Sequence, residues 1–362
     1  MADFRPARAA ALRAACSASG VDALLVTHLP NIRWLTGFSG SAALVVVSPA
    51  AVTLITDFRY ATQAPHEVGA AAEVIVDRRN VWDRLARVLA KEAPDTLGIE
   101  AAVVTVREAE RISAITSARV FPLTDTVERL RQVKDESEVA AIRAAGALAL
   151  EALAEVLPTV RVGEREIDVA ARLESALRRR GSEWHPFPTI VASGPRSALP
   201  HAGTSERVIG RGEFLLIDFG AQLEGYCADI TRTVVVGAKA DERQRTVYDL
   251  VEDAQRRARE GVRAGMSGSE ADALARELIA ARGYGEAFGH SLGHGLGLEV
   301  HEAPRLAQTA DGLLPVGAVV TVEPGIYLPG WGGVRLEDDV WLSAGGPVLL
   351  TDGRTELIEL EA

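Results

Sequence analysis

Cysteine is almost absent from this chain: Cys16 and Cys227 are the only two in 362 residues, and they lie far apart. That excludes a disulfide framework and makes a reducing, cytoplasmic setting the expectation. Blocks of basic residues are also missing, and the net charge is −11. Nucleic acid and anionic membrane surfaces are therefore excluded as natural partners. No apolar run reaches the roughly 18 residues that a membrane span requires. The opening MADFRPARAAALRAACSASG reads as an arginine-bearing amphipathic helix, without the continuous apolar stretch of a signal peptide. What is left is ordinary in composition, with 48% hydrophobic and 25% charged residues, as in soluble globular proteins. The length suffices for two domains, each with its own core.

The first part alternates extended and helical patterns. VDALLVTH, SAALVVVS, VTLITD, AEVIVD, TLGIE and RVFPLTD read as strands, with helices near 6–19, 81–92 and 106–117. This pattern indicates a small α/β domain over residues 1–127. A second domain, 128–362, follows, entered by a long helix that begins near Asp135. Its order of elements occurs twice. Helical stretches near 136–157 and 164–181 precede a hairpin with two acids, and stretches near 241–264 and 269–283 precede another. Gly-containing turns, AQLEGY and LPGWGG, separate the paired acids. The fold class expected is therefore α/β (α+β), with a pseudo-two-fold second domain whose halves each bring two acids to their junction.

Those acids are Asp218 in FLLIDFG, Asp229 in CADITRTVVV, Glu323 in VVTVEPGIY and Glu337 in GGVRLEDDVWL. An ionised carboxylate inside a buried sheet costs several kcal/mol unless something compensates it. Taken singly, each acid could face solvent or pair with an arginine. Four within half a chain ask for a shared explanation, and two divalent cations with one neutral imidazole supply it. Strand alternation places Phe214, Leu216, Asp218 and Gly220 on one face. It also puts Thr231 and Thr233 beside Asp229, Thr321 beside Glu323 and Arg335 beside Glu337. The threonines fit equally as hydroxyl donors to carboxylates and as simple strand formers. Cys227, two residues before Asp229, reads as a packed, inert thiol.

HSLGHGLGLEVHE holds His290, His294 and His301. Gly289, Gly293, Gly295 and Gly297 argue against a helical zinc motif there. No strand–turn–helix context makes them a dinucleotide fingerprint either. Glycines at this density let backbone pack closely around a ligand histidine. His201, in SALPHAG, follows a proline in a polar loop.

In their order and spacing, DFGAQLEGYCADITRT, HSLGHGLGLEVHE, VEPGIY and GVRLEDD resemble the pita-bread metallopeptidases, in particular the prolidase and aminopeptidase P branch. NIRWLTGFSG is similar to that branch's N-terminal domain, and LRQVKDESEVAAIRAA to its entry into the catalytic domain. The resemblance implies hydrolysis of Xaa-Pro bonds in small proline-containing peptides. It implies that Asp218 binds one metal ion, that Asp229 and Glu337 bridge two, and that His294 and Glu323 hold the second. A water between the ions would be the nucleophile and Glu323 its acid–base partner. His201 and His301 would stabilise the tetrahedral intermediate and move protons, His290 would line the substrate pocket, and Arg335 would orient carboxylates or bind substrate. A hard, oxygen-rich ligand set suits manganese first, with cobalt or zinc as alternatives.

The same resemblance implies a homodimer or larger homo-oligomer, with Trp34 and Phe38 expected to be exposed at a contact surface. Trp184, His185, Pro186 and Phe187 read either as walls of a proline pocket or as a rigid turn on the core. A prolidase holds the free carboxylate of a dipeptide, whereas an aminopeptidase P leaves that end open. Arg305, in HEAPR, is the candidate for holding the carboxylate and tips the expectation toward a dipeptidase. A metal-free binding module on the same scaffold predicts gaps at the ligand positions, and all of them are filled. A methionine aminopeptidase is disfavoured by the size of the N-terminal domain.

Overall fold

The computed structural model describes residues 3–361. Two compact units divide it, Met1–Arg131 and Gln132–Ala362.

The first unit is a six-stranded mixed sheet of β1 (Ala23–Val26), β2 (Ala43–Val47), β3 (Val52–Asp57), β4 (Glu73–Asp77), β5 (Thr96–Glu100) and β6 (Arg119–Leu123). The strand order is β4-β3-β2-β1-β5-β6, with β1 antiparallel to β2 and parallel to β5. All six strands coincide with segments read as strands from the sequence. The helices α1 (Arg5–Ala18), α4 (Val81–Glu92) and α5 (Val106–Ile115) also lie where expected, while α2 (Leu29–Thr36), α3 (Gln63–Val68) and α6 (Thr126–Arg131) are additional. The expected exposure of Trp34 and Phe38 is not found. Trp34 is 3% and Phe38 1% exposed. Helix α2 turns Trp34 inward, and Gly37, at φ 79°, ends that helix in the left-handed region and takes the chain to Phe38.

In the second unit Asp135 caps α7 (Glu136–Val156), accepting from the backbone N–H of Ser137 and Glu138. Helices α7 and α8 (Glu166–Arg179) pack on a sheet of order β17-β9-β8-β7: β7 (Ile190–Ser193), β8 (Glu213–Leu223), β9 (Tyr226–Val236) and β17 (Ile358–Leu360). Helices α9 (Glu242–Gly261) and α10 (Gly268–Ala281) pack on a second sheet, β11-β10-β12-β15-β16. Its strands are β10 (Gly293–Gly295), β11 (Glu302–Leu306), β12 (Val319–Val322), β15 (Asp338–Ser343) and β16 (Gly346–Leu349). The hairpin β13 (Gly325–Leu328) and β14 (Gly332–Arg335) lies between β12 and β15 in sequence.

The alternation expected along β8 is present. Leu215, Ile217, Phe219 and Ala221 pack under α7 and α8, which leaves Phe214, Leu216, Asp218 and Gly220 for the opposite face. The β8–β9 turn is a two-residue connection, Glu224 and Gly225, with φ of 49° and 80° and Leu223 paired to Tyr226. Positive φ at both central residues matches the strand twist and fixes the register that puts Gly220 opposite Asp229. The second half departs from the simple hairpin expected. Glu323 sits in the break between β12 and β13, and Glu337 in the break between β14 and β15. An isolated bridge, Thr231 to Glu337, joins the first sheet to the second half at that break.

The glycines around His294 have the packing role expected of them. A Cβ at Gly293 would lie 2.0 Å from the Thr321 carbonyl oxygen, and one at Gly295 would lie 2.2 Å from that of Ala303. Backbone carbonyls cannot yield as a side chain can. Gly293→Ala is therefore expected to destabilise the protein by about 1–3 kcal/mol through overpacking. Denaturant unfolding of the purified variant measures this, and a wild-type midpoint would contradict the packing argument.

Candidate metal centre

Strand β8 presents Asp218, β9 presents Asp229, β10 presents His294, and the breaks after β12 and β14 present Glu323 and Glu337. Helix α10 sets the segment before β10. Asp272 accepts from the Leu292 N–H at 3.0 Å, and Arg276 donates to the carbonyls of Phe288 at 2.7 Å and His290 at 2.6 Å.

The structure brings donor atoms of Asp229, His294 and Glu337 within 4.8 Å of one another. His294 Nε2 is 3.5 Å from Glu323 Oε1 and 3.9 Å from Asp229 Oδ2. Two donors each about 2.1 Å from one cation lie at most about 4.2 Å apart, so these separations suit a shared ion. His294 Nδ1 faces the Gly295 carbonyl at 3.0 Å and must carry the proton there, which leaves the Nε2 lone pair toward the acids. Burial pushes the His294 ring down to about 4, so it is neutral at pH 7. Thr231 donates to Glu337 Oε2 at 2.6 Å, and Thr321 Oγ1 lies 3.5 Å from Glu323 Oε1. Thr231 thus serves a carboxylate as well as the strand.

Arg335 is the organising cation. It pairs with Asp218 Oδ2 and donates to Thr231 Oγ1 at 3.1 Å, the Tyr327 hydroxyl at 2.9 Å and the Pro200 carbonyl at 3.1 Å. Among the described residues, Asp218 Oδ1 and Asp229 Oδ1 are buried without a hydrogen-bond partner. Burial and then Glu337 hold Asp229 well above the ordinary carboxylate range, and burial and then Glu337 do the same to Glu323. Burial and then Asp218 push Glu337 up to about 8. Orphaned acid oxygens, mutual repulsion and a neutral imidazole aimed at them fit divalent cations, by the chemistry of the donors alone.

His290 Nδ1 faces the Ser291 carbonyl at 2.8 Å, so its Nε2 accepts from the Tyr327 hydroxyl at 2.8 Å. Burial and then the Arg335 charge bring His290 down to about 4. His301 is exposed and packs edge-on against His294, with ring centroids 4.3 Å apart. Burial of part of its ring and then the neighbouring His201 lower it. His201 is exposed on the loop after β7, one residue past the carbonyl that Arg335 holds. Arg305 pairs in register with His294 on β11 and is exposed, and its side chain makes no hydrogen bond or ion pair among the described residues.

Pro186 and Phe187 lie over Gly220, where a Cβ would come within 2.6 and 3.1 Å of them. Trp184 is 61% exposed and stacks on His185, away from any packed wall. Cys227 is buried, and burial raises its thiol, as expected of a packed residue. Two contributors were missed in the sequence. Tyr327, four residues after Glu323, was not singled out. Asp339 lies two after Glu337, and its Oδ2 accepts from the Asp229 N–H at 3.1 Å. The run Glu337–Asp338–Asp339 was the available signal.

A duplicated helix–hairpin unit closing on a buried acidic centre defines the pita-bread hydrolase architecture. Residues 140–344 match the model of metallopeptidase family M24, and residues 8–133 match the creatinase/prolidase N-terminal domain. An Xaa-Pro dipeptidase of Pyrococcus horikoshii is 37% identical over 94% of this chain and 95% of its own length. The structure of an Xaa-Pro dipeptidase from Bacillus anthracis superposes with a TM-score of 0.95 at 40% identity, covering 98% of this chain and 100% of that one. An X-Pro aminopeptidase from Thermotoga maritima gives 0.89 at 40% identity, covering 94% and 98%. The chain belongs to metallopeptidase family M24 and is a peptidase that uses divalent metal ions.

The acid cluster predicts a pH dependence. A carboxyl whose proton is held more tightly when folded costs stability once it ionises. With no cation bound, stability is therefore expected to fall as pH rises from the ordinary glutamate value of 4.5 toward the 8 or so of Glu337. Melting temperatures of chelated protein from pH 5 to 9 should decline by several degrees. Saturating divalent cation should reverse the trend, because cations displace those protons. A chelated protein that gains stability through this window would contradict the assignment.

Proposed function

We propose that this protein hydrolyses Xaa-Pro bonds in small peptides, with a preference for Xaa-Pro dipeptides. The observation that carries the reading is the buried set of Asp218, Asp229, Glu323, Glu337 and His294, with two orphaned acid oxygens and a neutral ring. Relatives that carry the names Xaa-Pro dipeptidase and X-Pro aminopeptidase support the substrate class.

In this reading Asp218, Asp229, Glu323, Glu337 and His294 would hold the divalent cations, with Asp229 and Glu337 serving both ions, Asp218 the first, and His294 with Glu323 the second. Manganese is the first candidate, followed by cobalt or zinc. Such ions, when bound, supply the positive charge and Lewis acidity that polarise the scissile carbonyl and favour attack by water. Glu323 takes a proton from the attacking water and delivers it to the departing imide nitrogen. An N–H of His201 or His301 meets the oxyanion as charge develops there. Arg335 holds Asp218 in place and, through Tyr327, orients the neutral His290 at the pocket.

Proline sets the specificity problem. Its nitrogen has no N–H and its ring fixes φ, so ordinary strand-like recognition fails. Pro186 and Phe187, over Gly220, supply an apolar wall on the acid-bearing face. Arg305, in register with His294 and with no side-chain partner among the described residues, would hold a dipeptide's free carboxylate in this reading, which favours the dipeptidase. The alternative is an aminopeptidase acting on longer peptides, as the Thermotoga maritima relative's name says of that protein. The reading includes a homodimeric or larger assembly and a cytoplasmic setting. Two buried free cysteines support the latter. Among the described residues no helix is long and apolar enough to cross a membrane.

Chelation is expected to abolish hydrolysis of Xaa-Pro peptides, and manganese or cobalt to restore it. His201→Ala and His301→Ala should each lower kcat about 10²–10⁴-fold while the metal content stays that of the wild type. His294→Ala should lose metal as well as rate. Full turnover by stripped enzyme, or full metal content in His294→Ala, contradicts the roles given.

The dipeptidase preference has its own test. Arg305→Ala should penalise Xaa-Pro far more than Xaa-Pro-Yaa in kcat/KM. An equal penalty on the two substrates would assign Arg305 a structural role and favour the aminopeptidase.

A further inference from the structure

Arg232 takes no part in the chemistry above, yet its guanidinium grips the joint between the two halves of the centre. The residue is 3% exposed and follows Thr231 on β9. Its Nη1 donates to the Thr231 carbonyl at 2.9 Å and to the Glu337 carbonyl at 2.6 Å. Nη2 donates to Asp338 Oδ1 at 2.7 Å, and Nε to the Arg354 carbonyl at 2.9 Å. Asp338 also accepts from Gln255 at 2.6 Å, Arg259 at 3.2 Å and Thr351 at 3.1 Å.

Thr231 and Glu337 form the isolated bridge between the first sheet and the break before β15, and the Glu337 N–H donates to the Thr231 carbonyl at 3.1 Å. One guanidinium nitrogen therefore holds both carbonyls of that bridge. The Glu337 carboxylate extends from the same residue and is held by the Thr231 hydroxyl. A break in a strand has no ladder of its own to fix a side chain. Here Arg232 supplies the missing constraint.

We infer that Arg232 is a positioning residue for the cation site. It fixes the Glu337 backbone against β9, so that carboxylates from separate halves of the fold stay at a common spacing. The inference rests on Glu337 being a cation ligand. A buried ion pair is by itself weak evidence for stability, since neutral replacement of both partners is often tolerated. The hold of Nη1 on two carbonyls is a geometric function that a charge pair does not need, and the single nitrogen of a lysine, with three N–H donors, cannot serve those carbonyls together with Asp338 and the Arg354 carbonyl.

Manganese binding by calorimetry at pH 8 provides the test, with circular dichroism and melting of the chelated proteins alongside. Arg232→Lys keeps the charge beside Asp338 and loses the grip. R232M/D338N removes both charges of the fully buried pair and leaves only Arg259, which reaches solvent, without its Asp338 partner. Each is expected to keep the wild-type circular dichroism spectrum and to bind manganese about 10–100-fold more weakly. Glu337→Ala should weaken binding at least as much. Wild-type manganese affinity in Arg232→Lys would overturn the positioning role and leave the ligand reading intact. Wild-type affinity in Glu337→Ala would overturn the ligand reading and, with it, this inference.

Discussion

Carboxylates gathered out of water repel one another, and the second unit of this protein is arranged around containing that repulsion. Asp229, Glu323 and Glu337 all hold their protons more tightly than free acids do, because burial and one another's charge penalise ionisation. Arg335 pairs with Asp218, and Oδ1 of Asp218, Asp229 and Asp339 each lack a hydrogen-bond partner among the described residues. A fold that spent its internal positive charge on every acid would have no site. By leaving the deficit unmet, this one creates affinity for divalent cations, and the same deficit makes the chain a metallopeptidase rather than a packed sheet.

Containment needs acids from different parts of the chain to be held at fixed separations, and the duplicated architecture provides this. Each half contributes a pair of helices that covers one face of a sheet, so that the acids emerge on the other. The Thr231–Glu337 bridge is one of the joints between the halves, and Arg232 is clamped across both of its carbonyls. His294 enters on a three-residue strand flanked by glycines whose missing side chains let the backbone of Thr321 and Ala303 close in. Rigid backbone around soft side chains is what a metal centre needs, because a displacement of one ångström is large against a bond of about two.

Much of this was legible in the residues. Alternation along FLLIDFG predicted that Phe214, Leu216, Asp218 and Gly220 share one face of β8, and AQLEGY predicted a turn between Asp218 and Asp229. The four acids and the glycine-flanked histidine pointed to metal before any geometry was known. Local patterns failed where burial depended on a distant partner. Trp34 and Phe38 read as surface residues because nothing in NIRWLTGFSG reveals that a short helix folds them into a core. Nothing local marked Tyr327, because its partners, His290 and Arg335, lie 37 and 8 residues away.

The sequence by itself determined the chemistry on offer: which residues are hard ligands, which strands carry them, and that the second half repeats the first. Periodicity and composition are local properties, and a single chain displays them directly. Only the tertiary structure decided how those ligands are held. The strand breaks at Glu323 and Glu337, the grip of Arg232, the Asp339 carboxylate behind Asp229 and the lack of a partner for the Arg305 side chain among the described residues all depend on residues remote in the chain. Spacing along a sequence carries no information about which distant carbonyl a guanidinium will find, because packing of the two halves sets that distance.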